Sequence, residues 1–314
     1  MISFGPVPSR RLGNSLGINN IVAPKVCSYN CIYCQVGKTR KQSINRQEFF
    51  QPEVIYKDVA NHLSKIKQDN LPDYLTFVAN GEPTLDINLG KSIKLLKKFG
   101  IPVAVITNGS LLFAESVRDD LFFADWVSIK MDAGDNDTWH TMNLPDPGLN
   151  FETMLAGINF FAKLYKGILR TETMLAKGLN DSVENLTILS GLIKKVNPGK
   201  AYLSVPTRPP SVVSVKPPDL EKLNTAWQIF NNMHINTELL TGYEGALTGF
   251  TGNIYEDILN ITAVHPLRED SLLNLLLNDK ADFSIVKSLI SQRLIRSTIF
   301  NGEKYYLREY HVNY

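Results

Sequence analysis

The sequence predicts an α/β fold, a partial (β/α)6-type parallel barrel with a small C-terminal winged-helix domain. Short apolar segments alternate with segments of helical spacing over residues 1–240, a pattern that favours βαβ crossovers and a parallel sheet. A glycine-rich segment at 241–253 predicts a linker. Residues 254–314 then show three helical segments and the turn signal Asn301-Gly302. Three helices followed by a β-hairpin are typical of a winged helix.

Each element of the predicted barrel follows from the spacing of apolar residues and from the turn residues between segments. Short runs rich in β-branched and aromatic residues predict strands over 15–22, 74–79, 103–107, 126–131, 168–175, 201–205 and 235–240. Apolar positions three and four residues apart predict helices over 54–67, 88–99, 113–123, 151–165, 183–195 and 219–233. Residues 135–150 and 206–218 carry several prolines, and we expect loops there.

The same signals predict the helices and strands of the C-terminal region. They predict helices over 254–263, 268–277 and 283–294 and strands over 297–300 and 304–308. Arg293 and Arg296 near the end of the third helix, with Lys304 and Arg308 on the hairpin, give this region four cations for contacts with phosphates. The alternatives are a solvated face or a surface for protein contacts.

Composition excludes several classes of protein. The chain has 314 residues with 33 Lys and Arg against 31 Asp and Glu, a net charge of +2, so it is not a uniformly polybasic nucleic-acid binder. Its apolar runs are far shorter than the ~18 residues that span a bilayer, and the N-terminus lacks the apolar stretch of a signal peptide. We therefore expect a cytoplasmic protein with no membrane segment.

All three cysteines of the chain fall within eight residues, as Cys27, Cys31 and Cys34. An odd number of cysteines cannot form a closed disulfide framework. Three thiolates on one loop can hold three irons of a [4Fe–4S] cluster, which normally takes four cysteines, and the fourth iron is then left for an exogenous ligand. A zinc site and incidental cysteines are the alternatives, although structural zinc takes four ligands with paired spacing.

The CxxxCxxC spacing, on a loop after the first predicted strand of a parallel β/α chain, resembles the radical S-adenosylmethionine (SAM) superfamily over about residues 1–240. The resemblance implies one [4Fe–4S] cluster, SAM on the open iron, and an electron donor such as flavodoxin or ferredoxin. It also implies reductive cleavage of SAM to a 5′-deoxyadenosyl radical that takes a hydrogen atom from the substrate. An iron–sulfur, redox-sensing regulator that binds nucleic acid is the alternative from a different class.

The resemblance also implies which residues bind SAM. Tyr33 fits the aromatic position where the family's backbone approaches the adenine. Gly81, Glu82 and Pro83 resemble the glycine-glutamate motif that binds the methionyl ammonium; the glycine permits close backbone approach, and the carboxylate suits a cation. The remaining candidates lie on predicted strands or at their ends; the alternative is that they are ordinary turn, cap or strand residues. Thr107, Asn108 and Asp132 are candidates for contact with the SAM carboxylate and ribose, and Met174 for contact with adenine. Glu172 is a further candidate for SAM binding, and Lys130 is the candidate catalytic residue.

A narrower resemblance concerns the substrate. Residues 4–13, 15–19, 25–35, 177–181 and 208–210 resemble a subgroup related to the radical SAM synthase of the tRNA wyosine base. Those synthases hold a second cluster on additional cysteines, and this chain has none to spare. An RNA (tRNA) base is the first expectation for the substrate, a protein or peptide the second, and a small metabolite the third. The Arg10-Arg11 pair is expected either to face a phosphate or to form a salt bridge.

Overall fold

The computed structural model describes residues 2–66, 70–242 and 252–309, and one eight-stranded sheet forms its centre. Numbered along the chain, the strands of the first region are β1 (Ser3–Ser9), β2 (Gly13–Ile18), β3 (Val26–Cys27), β4 (Lys41–Gln42), β5 (Tyr74–Phe77), β6 (Val103–Thr107), β7 (Trp126–Lys130), β8 (Ile168–Met174), β9 (Lys200–Ser204) and β10 (Thr237–Leu240). β3 pairs with β4, and the other eight form the sheet in chain order.

The sheet is a partial barrel, as predicted. Its strands from β2 to β10 are parallel to their neighbours, and β1 pairs antiparallel with β2 at one edge. β1 and β10 lie at opposite edges, so the sheet stays open. The carboxyl ends of the parallel strands lie along one rim, which is where parallel barrels carry their active sites.

Helices connect the parallel strands and bury their apolar residues against the sheet. They are α1 (Pro52–Leu63), α2 (Leu89–Leu96), α3 (Glu115–Leu121), α4 (Asn136–Asn143), α5 (Phe151–Leu164), α6 (Val183–Val196) and α7 (Leu220–Asn232). Ile55 and Val59 of α1 and Ile93 and Leu96 of α2 are fully buried in the core cluster of the barrel. Helical spacing of apolar residues therefore predicted six of these seven helices to within a few residues.

Four elements of this region were not predicted: the two-residue strands β3 and β4, the edge strand β1 and the helix α4. β1 was not foreseen because its segment contains two prolines; an edge strand tolerates them, and β1 pairs with β2 alone among the described strands. α4 lies within 135–150, where we expected only a loop. Asp135 caps this helix by accepting a hydrogen bond from the backbone N–H of Thr138, and the burial of Trp139 and Met142 stabilises it.

The C-terminal region has a hydrophobic core of its own. Its elements are α8 (Ile254–Val264), β11 (Leu267–Arg268), α9 (Glu269–Asn278), α10 (Ser284–Ser291), β12 (Ile295–Phe300) and β13 (Glu303–Arg308). The predicted hairpin turns at Asn301 and Gly302, both with positive φ. β11 was not predicted, and it pairs with β13. The winged-helix interpretation stays a prediction, and most of the predicted linker, residues 243–251, lies outside the described residues.

The C-terminal region contacts the barrel near its rim. α8 packs against β1, the Tyr305 hydroxyl donates to the carbonyl of Thr207 at 2.9 Å, and the Gln35 amide donates to the carbonyl of Val264 at 3.1 Å. Gln35 directly follows Cys34, so this region touches the cysteine loop itself. Among the described residues, no helix is long and apolar enough to cross a membrane.

Candidate active site

A pocket of about 230 Å³ lies at the carboxyl ends of the strands. The cysteine loop forms one wall, and residues at the ends of β5 to β9 form the floor. The lining includes most of the predicted site residues: Cys27, Cys31, Tyr33, Cys34, Gly81, Glu82, Thr107, Asn108, Lys130, Glu172 and Met174. The fold therefore gathers into one pocket predicted site residues that lie up to 147 positions apart in the sequence, from Cys27 to Met174.

Gly81 fixes the position of the cysteine loop. The residue forms a parallel bridge with Val26, and the N–H of Glu82 donates to the carbonyl of Val26 at 3.1 Å. Gly81 has φ +141°, and a Cβ there would overlap the carbonyl oxygen of Val26. Only glycine combines this conformation with so close a backbone approach, so the turn after β5 holds the cysteines against the mouth of the barrel.

Each of the three sulfur atoms accepts one hydrogen bond from a side chain outside the CxxxCxxC motif. The Lys25 ammonium donates to Cys34 Sγ at 3.1 Å, the Asn143 amide to Cys31 Sγ at 3.4 Å, and the Asn108 amide to Cys27 Sγ at 3.7 Å. Cluster thiolates accept hydrogen bonds of this kind, which orient them and tune the metal. Three thiols around one pocket, each with a donor, therefore fit a [4Fe–4S] cluster.

The three thiols differ in acidity. Burial raises the pKa of Cys27 and raises that of Cys31 to about 11. Burial also acts to raise the pKa of Cys34, but the Lys25 ammonium, together with the backbone N–H of Val36 and the Lys130 charge, outweighs it, and the pKa of Cys34 lies below its ordinary value. Cys34 is thus the thiol that most readily becomes the thiolate that binds metal.

Glu82 is a buried carboxylate with a fixed orientation. It accepts hydrogen bonds from the N–H of Thr84 at 3.1 Å and its hydroxyl at 2.7 Å, from the Thr107 hydroxyl at 2.6 Å and from the N–H of Asn108 at 2.8 Å. Burial raises the pKa of Glu82 and these donors oppose the shift. Glu82 therefore ties together the ends of β5 and β6, and it holds Thr107 and Asn108 at the pocket.

Glu172 is buried and forms an ion cluster with two half-buried cations on the floor of the pocket. Lys130 donates to it at 3.1 Å, Arg11 pairs with its second oxygen, and the Ser204 hydroxyl donates at 3.0 Å. Of the two expectations for the Arg10-Arg11 pair, the salt bridge thus holds for Arg11. Burial lowers the pKa of Lys130, and the neighbouring Asp132 opposes the shift.

Two predicted site residues, Asp132 and Pro83, do not line this pocket. Asp132 accepts hydrogen bonds from the Tyr33 hydroxyl, from the Asn143 amide at 2.9 Å and from the N–H of Met174 at 2.8 Å. Its carboxylate is therefore occupied in holding the aromatic ring of the cysteine loop. Pro83 is buried in a short 3-10 turn behind Glu82.

Sequence reasoning missed several residues that line the pocket or contact its cysteines. Lys25 lies two residues before Cys27, and this proximity was its only signal. Asn143 lies on the helix that we expected to be a loop. Arg208, which lines the pocket, donates to the Gln35 side chain at 2.9 Å. In the C-terminal region, Lys304 pairs with Glu269 at 2.9 Å, and Arg296 lies on β12, beyond the end of α10.

Comparison with known proteins agrees with this geometry. The chain is 43% identical to a UPF0026 protein of Methanocaldococcus jannaschii over 309 residues, 98% of this chain and 96% of that protein. It is 36% identical to a UPF0026 protein of Helicobacter pylori, over 68% of this chain and 69% of that protein. A radical SAM methyltransferase from Sphaerobacter thermophilus shares the fold, with a TM-score of 0.55 and 15% identity over 72% of this chain and 66% of that one.

The chain also matches a protein family over a long segment. Residues 21–187, more than half of the chain, match the radical SAM superfamily. The matched segment begins just before the cysteine loop and extends into α6, so it includes the cysteines, the Gly81 turn and the strands from β5 to β8. The chain therefore belongs to the radical SAM superfamily and is an enzyme that uses a [4Fe–4S] cluster and SAM.

Proposed function

We propose that this enzyme modifies a base of RNA, in tRNA, within the pocket at the barrel rim. The observation that carries the proposal is the charge of the pocket. Its described lining contains five cations, Arg10, Arg11, Lys25, Lys130 and Arg208, against two carboxylates, Glu82 and Glu172. A cationic cleft with low-dielectric walls concentrates anions, and RNA carries a phosphate at every nucleotide. The net charge of +2 for the whole chain fits local rather than general contact with RNA.

The sequence resemblance supports the same substrate class. Residues 4–13, 25–35 and 208–210 resemble the tRNA wyosine-base synthase subgroup. All three segments reach the pocket, through Arg10 and Arg11, the cysteine loop and Arg208. The chain has three cysteines in total, so a second cluster has no cysteine ligands. We therefore propose a modification of a tRNA base that needs one cluster only.

In this proposal Cys27, Cys31 and Cys34 bind the cluster. A small flavodoxin or ferredoxin delivers the electron. When bound, the cluster and SAM supply the 5′-deoxyadenosyl radical that takes a hydrogen atom from the substrate. The chain positions the cofactor and excludes water from the pocket.

The proposed SAM contacts follow from the pocket. Gly81 leaves room for backbone contact with the methionyl end, and Glu82 supplies a fixed carboxylate. Thr107 and Asn108 face the same end. Tyr33 and Met174 flank the adenine, with the Tyr33 ring held by Asp132. Lys130, paired with Glu172 at 3.1 Å, remains the candidate catalytic residue on the floor of the pocket.

The test is anaerobic turnover with RNA as the variable. The reconstituted enzyme receives SAM and dithionite together with total tRNA, with the same tRNA digested to nucleosides, or with no RNA, and 5′-deoxyadenosine is quantified. We expect intact tRNA to stimulate its formation. We also expect the stimulation to fall between about 50 and 200 mM salt, because phosphate contacts release counterions.

Two matched variants test whether tRNA contacts the enzyme at the pocket. Arg208→Gln removes a cation of the pocket and should weaken stimulation by tRNA, whereas Lys163→Gln, on the outer face of α5, removes an exposed cation and should leave it unchanged. Equal formation of 5′-deoxyadenosine with and without tRNA would refute the RNA proposal and direct the search to a peptide or a metabolite. Tight binding of tRNA without any turnover would instead favour the redox-sensing regulator.

A further inference from the structure

We infer that Lys25 raises the reduction potential of the cluster through a charged hydrogen bond to the sulfur of Cys34. The inference rests on the proposed binding of the cluster by the three cysteines, and it is independent of the RNA substrate. It assigns a role in electron uptake to a residue outside the cysteine motif.

The Lys25 side chain is buried and held at both sides of its ammonium group. The residue is 6% exposed. Its Nζ donates to Cys34 Sγ at 3.1 Å and to the carbonyl of Gly37 at 2.7 Å. Its own carbonyl accepts from the N–H groups of Arg40 and Lys41, each at 3.1 Å. Main chain and ammonium are therefore both fixed, so the hydrogen bond to sulfur does not depend on a mobile surface side chain.

Lys25 is also the strongest of the three donors to sulfur. Asn143 and Asn108 donate through neutral amides over 3.4 Å and 3.7 Å. The ammonium donates over 3.1 Å, and a hydrogen bond from a charged donor is roughly twice as strong as one between neutral groups. Of the three donors to sulfur, only Lys25 is charged, so the positive charge that these donors supply lies on the Cys34 side of the pocket.

A buried positive charge at this position favours the reduced cluster. Reduction adds one negative charge to the cluster, and a neighbouring ammonium stabilises that charge more strongly in a low-dielectric interior than in water. Net charge and hydrogen bonds to the sulfurs are among the quantities that set cluster potentials. The same ammonium that holds the Gly37 turn therefore makes the cluster easier to reduce.

The alternative is that Lys25 only anchors the turn at Gly37. Three substitutions separate the two roles. Lys25→Met removes the charge and the donor, Lys25→Gln keeps a neutral donor, and Lys25→Arg keeps the charge. Lys41→Met is the matched control, because Lys41 is an exposed cation of the same loop whose ammonium donates to Gln47 at 3.4 Å rather than to a sulfur.

The experiment uses the full-length enzyme with its cluster, reconstituted anaerobically. Iron and sulfide content are measured first, and the potential is then measured by redox titration with the EPR signal of the reduced cluster as the readout. For Lys25→Met we expect the ratio of oxidised to reduced cluster at a fixed applied potential to rise about tenfold, a shift of about 59 mV to more negative potential for one electron. Lys25→Gln should shift in the same direction by less, and Lys25→Arg and Lys41→Met should match the unsubstituted enzyme.

The possible outcomes are distinct. An unchanged potential in a fully loaded Lys25→Met enzyme would overturn the inference. If Lys25→Met does not retain its cluster, the cluster potentials of Lys25→Gln and Lys25→Arg are compared instead. Equal potentials in these two variants would also overturn the inference. If the unsubstituted enzyme itself binds no iron and sulfide, the proposed binding of the cluster fails, and the role of Lys25 fails with it.

Discussion

At the scale of single residues, the Gly81 turn controls the geometry of the cysteine loop. We predict that Gly81→Ala destabilises the protein and lowers its iron content, because the new Cβ overlaps the carbonyl oxygen of Val26 at φ +141°. Gly37→Ala is the control. Gly37 also has positive φ, +92°, but no atom of the described residues lies within 4 Å of an added Cβ, so Gly37→Ala should cost only the ~1–2 kcal/mol of the left-handed backbone conformation itself.

Urea unfolding and iron analysis of the reconstituted proteins measure both effects. Gly81→Ala should lose more unfolding free energy than Gly37→Ala and should also lose iron. Equal losses in the two variants would show that backbone conformation alone matters, and that the contact between Gly81 and Val26 does not hold the loop.

Asp86 gives a prediction about pH. Its side chain is fully buried and accepts hydrogen bonds from the N–H of Asn88 and the amide of Asn20. Burial outweighs these donors and raises the pKa of Asp86 from 3.8 to about 6. An acid with a raised folded-state pKa binds its proton more tightly when folded, so its contribution to stability is present at low pH and is lost as the pH rises from about 4 to about 6.

The expected loss is about 3 kcal/mol, from about two pKa units at about 1.4 kcal/mol each. Asp86→Asn removes the titrating group. The unfolding free energy of the unsubstituted protein minus that of Asp86→Asn should therefore fall between about pH 4 and pH 6 and stay flat above that range. Urea unfolding at several pH values measures the difference, and a difference independent of pH would contradict the assignment.

The residues that the sequence revealed are those whose chemistry lies in a contiguous motif. Cys27, Cys31 and Cys34 form one spacing pattern, and Gly81 and Glu82 directly follow an apolar strand. The pairing of Arg11 with Glu172 joins a turn near the N-terminus to β8, far along the chain. Such a contact exists only after the sheet has formed, so no local sequence pattern predicts it.

At the scale of elements, α4 links helix stability to the site. The helix carries Asn143, whose amide contacts Cys31, Tyr33 and Asp132. Its first turn depends on Asp135, which accepts from the N–H of Thr138 at 2.8 Å and from the Thr138 hydroxyl at 2.9 Å. We predict that Asp135→Ala costs about 1 kcal/mol and also lowers the retention of iron.

Ser182→Ala is the matched control. Ser182 caps α6 in the same way, by accepting from the N–H of Asn185 at 3.1 Å, and residues of α6 do not line the pocket. It should lose similar unfolding free energy and keep its iron. If both variants retain iron equally, α4 does not support the cysteine loop. Chemical denaturation and iron loss on dilution are the two measurements.

The unforeseen elements have physical reasons. α4 is eight residues long with a modest apolar stripe, and the prolines and glycine that follow it dominated the pattern of 135–150. β1 carries Pro6 and Pro8, which argue against a strand unless it lies at a sheet edge. Whether a strand lies at an edge depends on the order of the whole sheet, and local sequence does not contain that order.

At the scale of the whole molecule, the alternation of strands and helices predicted the open parallel barrel because every crossover leaves its own periodic signal. The contact between the C-terminal region and the barrel has no such periodic signal in the sequence. It combines the packing of α8 against β1 with hydrogen bonds such as Tyr305 to Thr207 and Gln35 to Val264, between residues with no shared sequence pattern. That contact brings a second, independently packed core beside the pocket.

The pocket around the three cysteines is where we expect the radical SAM chemistry to take place. The most direct measurement is 5′-deoxyadenosine formed anaerobically from SAM and dithionite by the reconstituted enzyme with tRNA present, compared with its Cys27→Ala, Cys31→Ala and Cys34→Ala variants. We predict product from the unsubstituted enzyme and from Lys163→Gln, and none from the three cysteine variants. A cysteine variant that still forms 5′-deoxyadenosine at the unsubstituted rate would contradict the assignment of these thiols to the cluster.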